Sequence, residues 1–277
     1  KTLQIYCKYL SRRGDVVFAG ALEPEGPRTA LIRREVRDLI PLDGDLDAVV
    51  ASIRSRGIEV VHSHGFQRGG PRADALMQKL KAAGLRLAAT EPFCVRNPAV
   101  EPLIDHLFLV SQTCLLKFMM QQGNRIDRPE RYGVAYNPLD AEDLGARILT
   151  PSERGAQRRA WGLAADDFVV GRLARASLWK WDPAIVEVTI RLARAIPNLK
   201  AVIRACPDPI RRRLETGPFR DRFVVLPETA DEDAVSRSLQ VMDVVLHTSR
   251  IGETFGVSLA EGMFYCLPSL TSSTDFR

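Results

Sequence analysis

The sequence predicts an α/β protein whose two domains are each built on a parallel sheet. Short apolar runs alternate with longer amphipathic segments along the chain, a pattern typical of strands joined by helices. The strand segments are almost entirely apolar, which is expected when helices cover both faces of a sheet. A polar, arginine-rich stretch at 140–167 lacks any such run and separates the two halves.

The first predicted domain covers residues 1–140. It opens with a helix over 2–13 that ends at Gly14, since glycine is the commonest residue just beyond a helix end. Apolar runs then predict strands at 16–19, 59–63, 86–90, 106–110 and 133–136, and helical patterns lie at 46–56 and 72–83.

The second predicted domain covers residues 166–277 and follows a linker and lead-in helix at 141–165. Its predicted strands are 168–173, 199–205, 222–226, 242–247 and 268–271, with helices at 183–196, 232–240 and 257–265. Parallel sheets of this kind bind ligands beyond the carboxyl ends of their strands. Polar residues that directly follow a strand are therefore the candidates for a functional site.

Two glutamates stand eight residues apart in the segment 252–262, GETFGVSLAEG, which predicts a loop that leads from a strand into a helix. Backbone N–H groups at the start of such a helix can receive a phosphate. Carboxylates accept hydrogen bonds from vicinal hydroxyls, so Glu253 and Glu261 can hold the two sugars of a nucleotide-sugar. Two solvated surface carboxylates are the alternative. The other candidate donor-binding residues of this segment are Thr254, Phe255, Gly256 and Val257.

A second polar cluster follows the apolar run at 168–173. Arg175 and Lys180 lie in the loop after this strand, where a planar guanidinium and a mobile ammonium suit a pyrophosphate. Solvated surface cations are the usual alternative for these residue types. Trp179 and Trp181 flank the lysine and either stack on a base or sugar or serve in packing.

These motifs together resemble the GT-B glycosyltransferases of the large retaining group 1 (family 4-like) kind. The resemblance covers nearly the whole chain and is most specific in the second half. The matching residues are Gly171-Arg172, Arg175 and Lys180, then Ser249 with Glu253-Thr254-Phe255-Gly256 and Glu261-Gly262-Met263, then Cys266-Leu267-Pro268 with Leu267 where the family has glycine. Upstream, the strand end VVHSHG at 60–65 resembles the family's HxHG, and YNPLD at 136–140 resembles its interdomain step with proline in place of glycine.

The resemblance implies two Rossmann-like domains facing a cleft and a hexosyltransferase-like activity. A sugar would pass from a nucleoside diphosphate to an acceptor (a glycan, a lipid or a small molecule), with retention of anomeric configuration. It also implies that Glu253 is a catalytic residue that contacts the donor-sugar hydroxyls, that Glu261 contacts the ribose and that Arg175 and Lys180 face the diphosphate. The family's opening strand, its glycine-rich turn and its closing elements have no counterpart here, which implies a fragment with incomplete termini.

His64 is the candidate catalytic residue of the first domain, because it ends a predicted strand beside Gly65. In the family a first-domain histidine can bond a donor-sugar hydroxyl or an acceptor. The family's better-known histidine follows a later strand, where this chain has Thr90-Glu91-Pro92. A purely structural role for His64 therefore stays open.

The composition indicates which classes of ligand and which compartment to expect. A net charge of +5 and a pI near 9.1 favour anionic ligands such as nucleotide diphosphates and acidic lipid head groups. Aromatic residues are 7% of the chain, few for a nucleic-acid binder, so no nucleic-acid partner is expected. Five scattered cysteines show no metal-ligand spacing and indicate a reducing cytosol.

We expect no bound metal and no cofactor other than the nucleotide-sugar co-substrate, because no Asp-x-Asp stands at a strand end beside the proposed site. No apolar run approaches the roughly 20 residues that cross a bilayer. The expected location is cytoplasmic, with peripheral contact at the anionic inner face of the membrane as an option.

Three other functions remain open from the sequence. Non-hydrolysing nucleotide-sugar epimerases share the implied architecture, although the resemblance implies that they lack the Glu-Thr-Phe-Gly loop. A dinucleotide oxidoreductase would need a Gly-x-Gly-x-x-Gly turn, which the sequence does not contain. A non-catalytic GT-B-like binding subunit is the third alternative. The presence of all four candidate site residues argues against it, namely Arg175, Lys180, Glu253 and Glu261.

Overall fold

The computed structural model describes residues 1–22, 26, 28–65, 69–121 and 128–272. It contains two compact units, Lys1–Pro138 and Leu139–Arg277. Within each unit the described strands pair in parallel, and helices alternate with them along the chain. The predicted α/β class with parallel sheets is therefore confirmed.

The first unit holds a sheet of four strands in the order β3-β4-β5-β6 and a separate parallel pair, β1-β2. Its elements are α1 (Thr2–Arg13), β1 (Phe18–Ala19), α2 (Thr29–Glu35), β2 (Asp38–Leu39), α3 (Leu46–Ser55), β3 (Val60–His64), α4 (Gly70–Ala82), β4 (Arg86–Glu91), β5 (His106–Leu109), α5 (Gln112–Met120) and β6 (Tyr132–Val134). Helix α1 has the predicted bounds, and Gly14 ends it with a φ of 99°. The sequence patterns did not predict α2, β2 or α5.

The second unit holds one sheet of five strands in the order β11-β10-β7-β8-β9. Its elements are α6 (Ala141–Gly145), α7 (Pro151–Ala160), β7 (Phe168–Leu173), α8 (Ala184–Ala195), β8 (Leu199–Arg204), α9 (Asp208–Thr216), β9 (Phe223–Leu226), α10 (Glu232–Gln240), β10 (Val244–His247), α11 (Val257–Phe264) and β11 (Ser269–Thr271). Strand β7 and helix α10 have the predicted bounds, and the other strands and helices predicted for 166–277 lie within two residues of their predicted bounds. The sequence patterns gave no bounds for α9.

The apolar side chains of β7 explain why this strand is central. Val170 packs into one buried cluster with α8 and α9, and Val169 packs into another with residues of α10 and β10. Successive strand residues point to opposite faces of a sheet, so both faces of β7 are covered. A strand buried on both faces is held rigidly, and this rigidity positions the loop that follows it.

Arginines attach the segment after Pro138 to the second sheet. On α7, Arg154 and Arg158 donate to the two carboxylate oxygens of Asp243 at 2.7 and 2.9 Å. The same carboxylate accepts the Val169 N–H at 2.8 Å. The arginine-rich composition that predicts a linker and lead-in helix thus serves to hold α7 against the start of β7.

Two cysteines of the first unit lie together. Cys94, in the loop after β4, forms a disulfide with Cys114 of α5, and their Cα atoms are 5.8 Å apart. The scattered spacing did not predict this pairing, and disulfides persist mainly in oxidising compartments. A cytoplasmic setting therefore stays a prediction. Among the described helices, none combines the length and the hydrophobicity needed to span a membrane.

Candidate functional site

The strand order of the second sheet creates a topological switch point beside β7. From β7 the chain proceeds outward through β8 and β9 on one side, and then returns to place β10 and β11 on the other. In open parallel sheets, ligands bind in the crevice at such a point, beyond the carboxyl ends of the strands. The loops that follow β7 and β10 flank this crevice, and they carry the two sequence-predicted motifs.

Lys180 and Glu253 meet across the switch point. The Lys180 Nζ donates to Glu253 Oε1 at 2.9 Å, although 73 residues separate the two along the chain. The same Oε1 lies 3.0 Å from Nε2 of His247, the last residue of β10. On the other side of the imidazole ring, Nδ1 is 3.5 Å from the Ser258 hydroxyl of α11. The carboxylate of Glu253 is therefore held by Lys180 from the loop after β7 and by His247 at the end of β10.

Glu253 is a permanent anion in this arrangement. Burial alone would raise the pKa of its carboxyl, but the hydrogen bonds from His247 and Lys180 outweigh burial and lower the pKa to about 2. A carboxylate that stays charged at every physiological pH can accept hydrogen bonds from hydroxyls but cannot act as a general acid.

Arg172 and Trp181 fix the loop that carries both predicted cations. Arg172 Nη2 donates to the Lys180 carbonyl at 2.6 Å, and Trp181 Nε1 donates to the Arg175 carbonyl at 3.0 Å. The Arg172 guanidinium lies over the Trp181 ring, 4.8 Å from its centroid, and both side chains are fully buried. A stacked pair thus holds the backbone of Arg175 and of Lys180, while the Arg175 residue itself is exposed.

The buried guanidinium of Arg172 is only partly satisfied. Its Nε and Nη1 atoms are buried and have no hydrogen-bond partner among the described residues. Burial lowers the pKa of Arg172 to about 10, and the opposing attraction of Glu253 and Asp182 does not restore it. Unpaired polar atoms at a buried charge are costly, and they are retained most often where function requires them.

The segment after Glu253 turns sharply into α11. Gly256 has a φ of 80°, a left-handed conformation that disfavours other residues, and α11 begins at Val257. The preceding loop residues, Thr254 and Phe255, are half-buried. The first N–H groups of an α-helix have no acceptor within the helix, so this end of α11 can receive an anion.

Glu261 lies one turn further along α11 and is buried. Gly262 allows α11 to approach β10 closely, because a Cβ there would lie 3.3 Å from Val245 Cγ2. This approach keeps the helix, and with it Glu261, close to the sheet.

His64 lies in the first unit, at the carboxyl end of β3. Its ring stacks on that of His62 with a centroid distance of 4.5 Å, and the Tyr6 ring lies 5.4 Å away. Burial, and then repulsion from His62, lower the pKa of His64 to about 4, so its imidazole is neutral at physiological pH. His64 can therefore exchange hydrogen bonds there without carrying a charge.

The loop after β4 has its own acidic residue. The buried Glu91 carboxylate accepts the N–H groups of Phe93 and Val95 at 2.7 and 3.2 Å. This carboxylate therefore stabilises the turn at the carboxyl end of β4.

Two residues of the site were missed as site residues at the sequence level, His247 and Arg172. Each had a signal, since a charged or titratable residue in or at the end of an apolar strand is unusual and marks a candidate functional residue. Among the described residues, no group of three His, Cys, Asp or Glu side chains is placed to hold a metal ion.

Comparison with known proteins identifies the fold from similar solved structures. No protein-family model matches the sequence, and no curated protein sequence is similar to it. Among solved structures, Anabaena HepE in complex with UDP and glucose matches with a TM-score of 0.75 at 18% identity, over 98% of this chain and 76% of that one. The fold is GT-B. A glycosyltransferase from Rickettsia africae matches this GT-B chain with a TM-score of 0.77 at 12% identity, over 98% of this chain and 74% of its own.

A third similar structure belongs to a different enzyme class. A putative UDP-N-acetylglucosamine 2-epimerase from Listeria monocytogenes matches over 100% of this GT-B chain and 77% of its own, with 13% identity and a TM-score of 0.61. The architecture therefore does not by itself distinguish a transferase from an epimerase.

Proposed function

We propose that the protein is a glycosyltransferase that takes a sugar from a nucleoside diphosphate. The observation that carries this proposal is the cluster of Lys180, Glu253 and His247 at the switch point of the second sheet, above the buried Arg172. Fixed cations suit a diphosphate, and a permanent carboxylate suits sugar hydroxyls. The similar HepE structure contains UDP and glucose, which supports a uridine diphosphate sugar as the first donor to test.

The proposed chemistry is electrostatic. As the glycosidic bond to the diphosphate breaks, negative charge accumulates on the leaving phosphate. Lys180 and Arg175 supply positive charge from one side of the switch point, and the N–H groups of the first turn of α11 supply dipoles from the other. Arg172 contributes a fixed buried cation and holds the Lys180 backbone in place.

The two glutamates take different roles in this proposal. Glu253 accepts hydrogen bonds from the donor sugar, and Glu261, buried on α11, accepts them from the ribose. Retention of configuration is proposed from the family resemblance, as is a contact of the neutral His64 with the donor sugar or the acceptor. The acceptor class and a peripheral contact with an anionic membrane remain predictions.

Nucleotide binding should depend on Lys180. Calorimetry of the wild-type protein with UDP, GDP and ADP is expected to show binding to at least one. Lys180→Ala should weaken this binding about tenfold or more, because a charge-assisted hydrogen bond is worth roughly 1.5–3 kcal/mol. Lys200→Ala is the matched control, since Lys200 lies near the amino end of β8 and donates to the Asp221 carbonyl. Failure of all three nucleotides to bind would refute the proposal.

Turnover is proposed to need no divalent metal. The positive charge required by the leaving diphosphate is supplied by Arg175, Lys180 and the start of α11. We expect release of nucleotide from a UDP-sugar to continue in excess EDTA. Loss of activity in EDTA, restored by manganese, would contradict this part of the proposal.

The epimerase alternative is tested with the same substrates. An epimerase would yield a UDP-sugar of altered configuration with no net release of UDP, whereas a transferase releases free UDP. Proton NMR of a UDP-sugar mixture distinguishes the two products. If UDP binds but neither product forms with any sugar or acceptor, a non-catalytic binding subunit becomes the better description.

A further inference from the structure

A second concave surface lies on the other side of β7 from the switch point. It is a groove of about 510 Å³ between the loop that follows β7 and the loop that follows β8. Its walls are mostly apolar, and Asp208 is the one charged residue among them. The lining residues are Ala176, Leu178, Trp179, Cys206, Pro207, Asp208 and Pro209.

The two tryptophans beside Lys180 have opposite environments. Trp181 is fully buried against Arg172, which settles its role as packing. Trp179 is 71% exposed and lies in the groove wall, next to Leu178, which is 51% exposed. Trp179 and Leu178 together give the groove wall a contiguous apolar surface on which a flat ring can pack.

Trp179 does not stand on a loose loop. The N–H groups of Lys180 and Trp181 both donate to the Ser177 carbonyl, at 2.9 and 3.1 Å. The side chains of Arg172 and Trp181 hold the carbonyls at the two ends of the same loop. Such a preorganised surface loses little conformational entropy when a ring stacks on it.

We propose that Trp179, backed by Leu178, stacks on the base of the nucleotide whose phosphates Lys180 binds. This inference rests on the proposed function. Trp179 directly precedes Lys180 in the chain, and a single ribose joins base to phosphate, so both contacts can form at once. A flat base suits an apolar groove wall, and aromatic rings bind every base through its π face.

The test compares ligands with and without a base. Calorimetry is run with UDP, GDP, ADP and inorganic pyrophosphate on the wild type and on Trp179→Ala. Trp179→Ala should weaken the best nucleotide about tenfold and leave pyrophosphate unchanged, since only the nucleotide carries a ring to stack. Trp179→Phe should retain most of the affinity. Lys180→Ala should weaken nucleotide and pyrophosphate alike.

Phe168→Ala is the matched control, because Phe168 is a partly exposed aromatic residue at the opposite, amino end of β7. Equal weakening of nucleotide and pyrophosphate by Trp179→Ala would overturn the inference, because Trp179 would then act through the loop. Unchanged nucleotide binding in Trp179→Ala, with Lys180→Ala still impaired, would overturn the stacking role and leave the proposed function intact. No binding of any nucleotide to the wild type would overturn both.

Discussion

Replacing Glu253 with glutamine is expected to reduce the proposed glycosyl transfer at least a hundredfold while nucleotide affinity is kept or raised. Glutamine has nearly the same shape as glutamate, but it lacks the negative charge of the carboxylate that accepts hydrogen bonds from Lys180 and His247. The neutral amide is a weaker acceptor for hydroxyls in the transition state, and loss of one preorganised electrostatic contact costs roughly 10²–10³ in kcat. Free UDP, in contrast, no longer competes with the carboxylate for the Lys180 ammonium.

The measurement is steady-state transfer from a UDP-sugar together with calorimetry of UDP. Glu215→Gln, the same chemical change on the exposed side of α9, should alter neither value. An equal loss of kcat and of UDP affinity in Glu253→Gln would mean that the carboxylate only maintains the loop.

The ionised state of Glu253 also has a consequence for stability. Its pKa is lowered to about 2 from the ordinary glutamate value of 4.5, so the stabilisation is present above pH 4.5 and lost as the pH falls through 2. The contribution is at most about 3 kcal/mol. In urea titrations, Glu253→Gln should therefore lower the free energy of unfolding at pH 7 and flatten its dependence on pH between 4.5 and 2.

Replacing Arg172 with methionine is expected to stabilise the protein and to impair the proposed nucleotide binding and glycosyl transfer. The charged form of Arg172 is desolvated, its pKa is lowered to about 10, and two of its nitrogens lack partners among the described residues. A similarly long apolar side chain removes this cost and still packs on Trp181, so the free energy of unfolding should rise by about 1–4 kcal/mol. UDP affinity and transfer should both fall, because the buried cation and the support of Lys180 are lost.

Arg172→Lys separates the two effects, since it retains the charge but not the planar stack on Trp181. We expect this variant to be no more stable than the wild type and to retain part of the nucleotide affinity. Urea denaturation at pH 7 gives the stabilities, and calorimetry gives the affinities. Destabilisation of Arg172→Met would show that the bond to the Lys180 carbonyl outweighs the desolvation of the guanidinium.

Local pattern alone predicts much of this fold. Strand β7 has its predicted bounds because a short segment that is apolar except for Arg172, and that lies between polar segments, is typical of a strand covered on both faces. That Arg175, Lys180 and Glu253 follow strands is also local information. Their position at the same edge of the sheet then requires only that the strands are parallel. Short elements such as α2 and β2 were missed because their seven and two residues have too weak a periodic signal.

The sequence by itself therefore determined the α/β alternation and the position of the candidate motifs at strand ends. Only the tertiary structure decided that β10 lies beside β7, which brings Lys180 within 2.9 Å of Glu253 and adds His247 to the pair. It also decided that Trp181 is buried and Trp179 exposed, two residues apart in the same loop. Strand order and burial depend on which distant surfaces pack together, and a local pattern of polar and apolar residues does not contain that information.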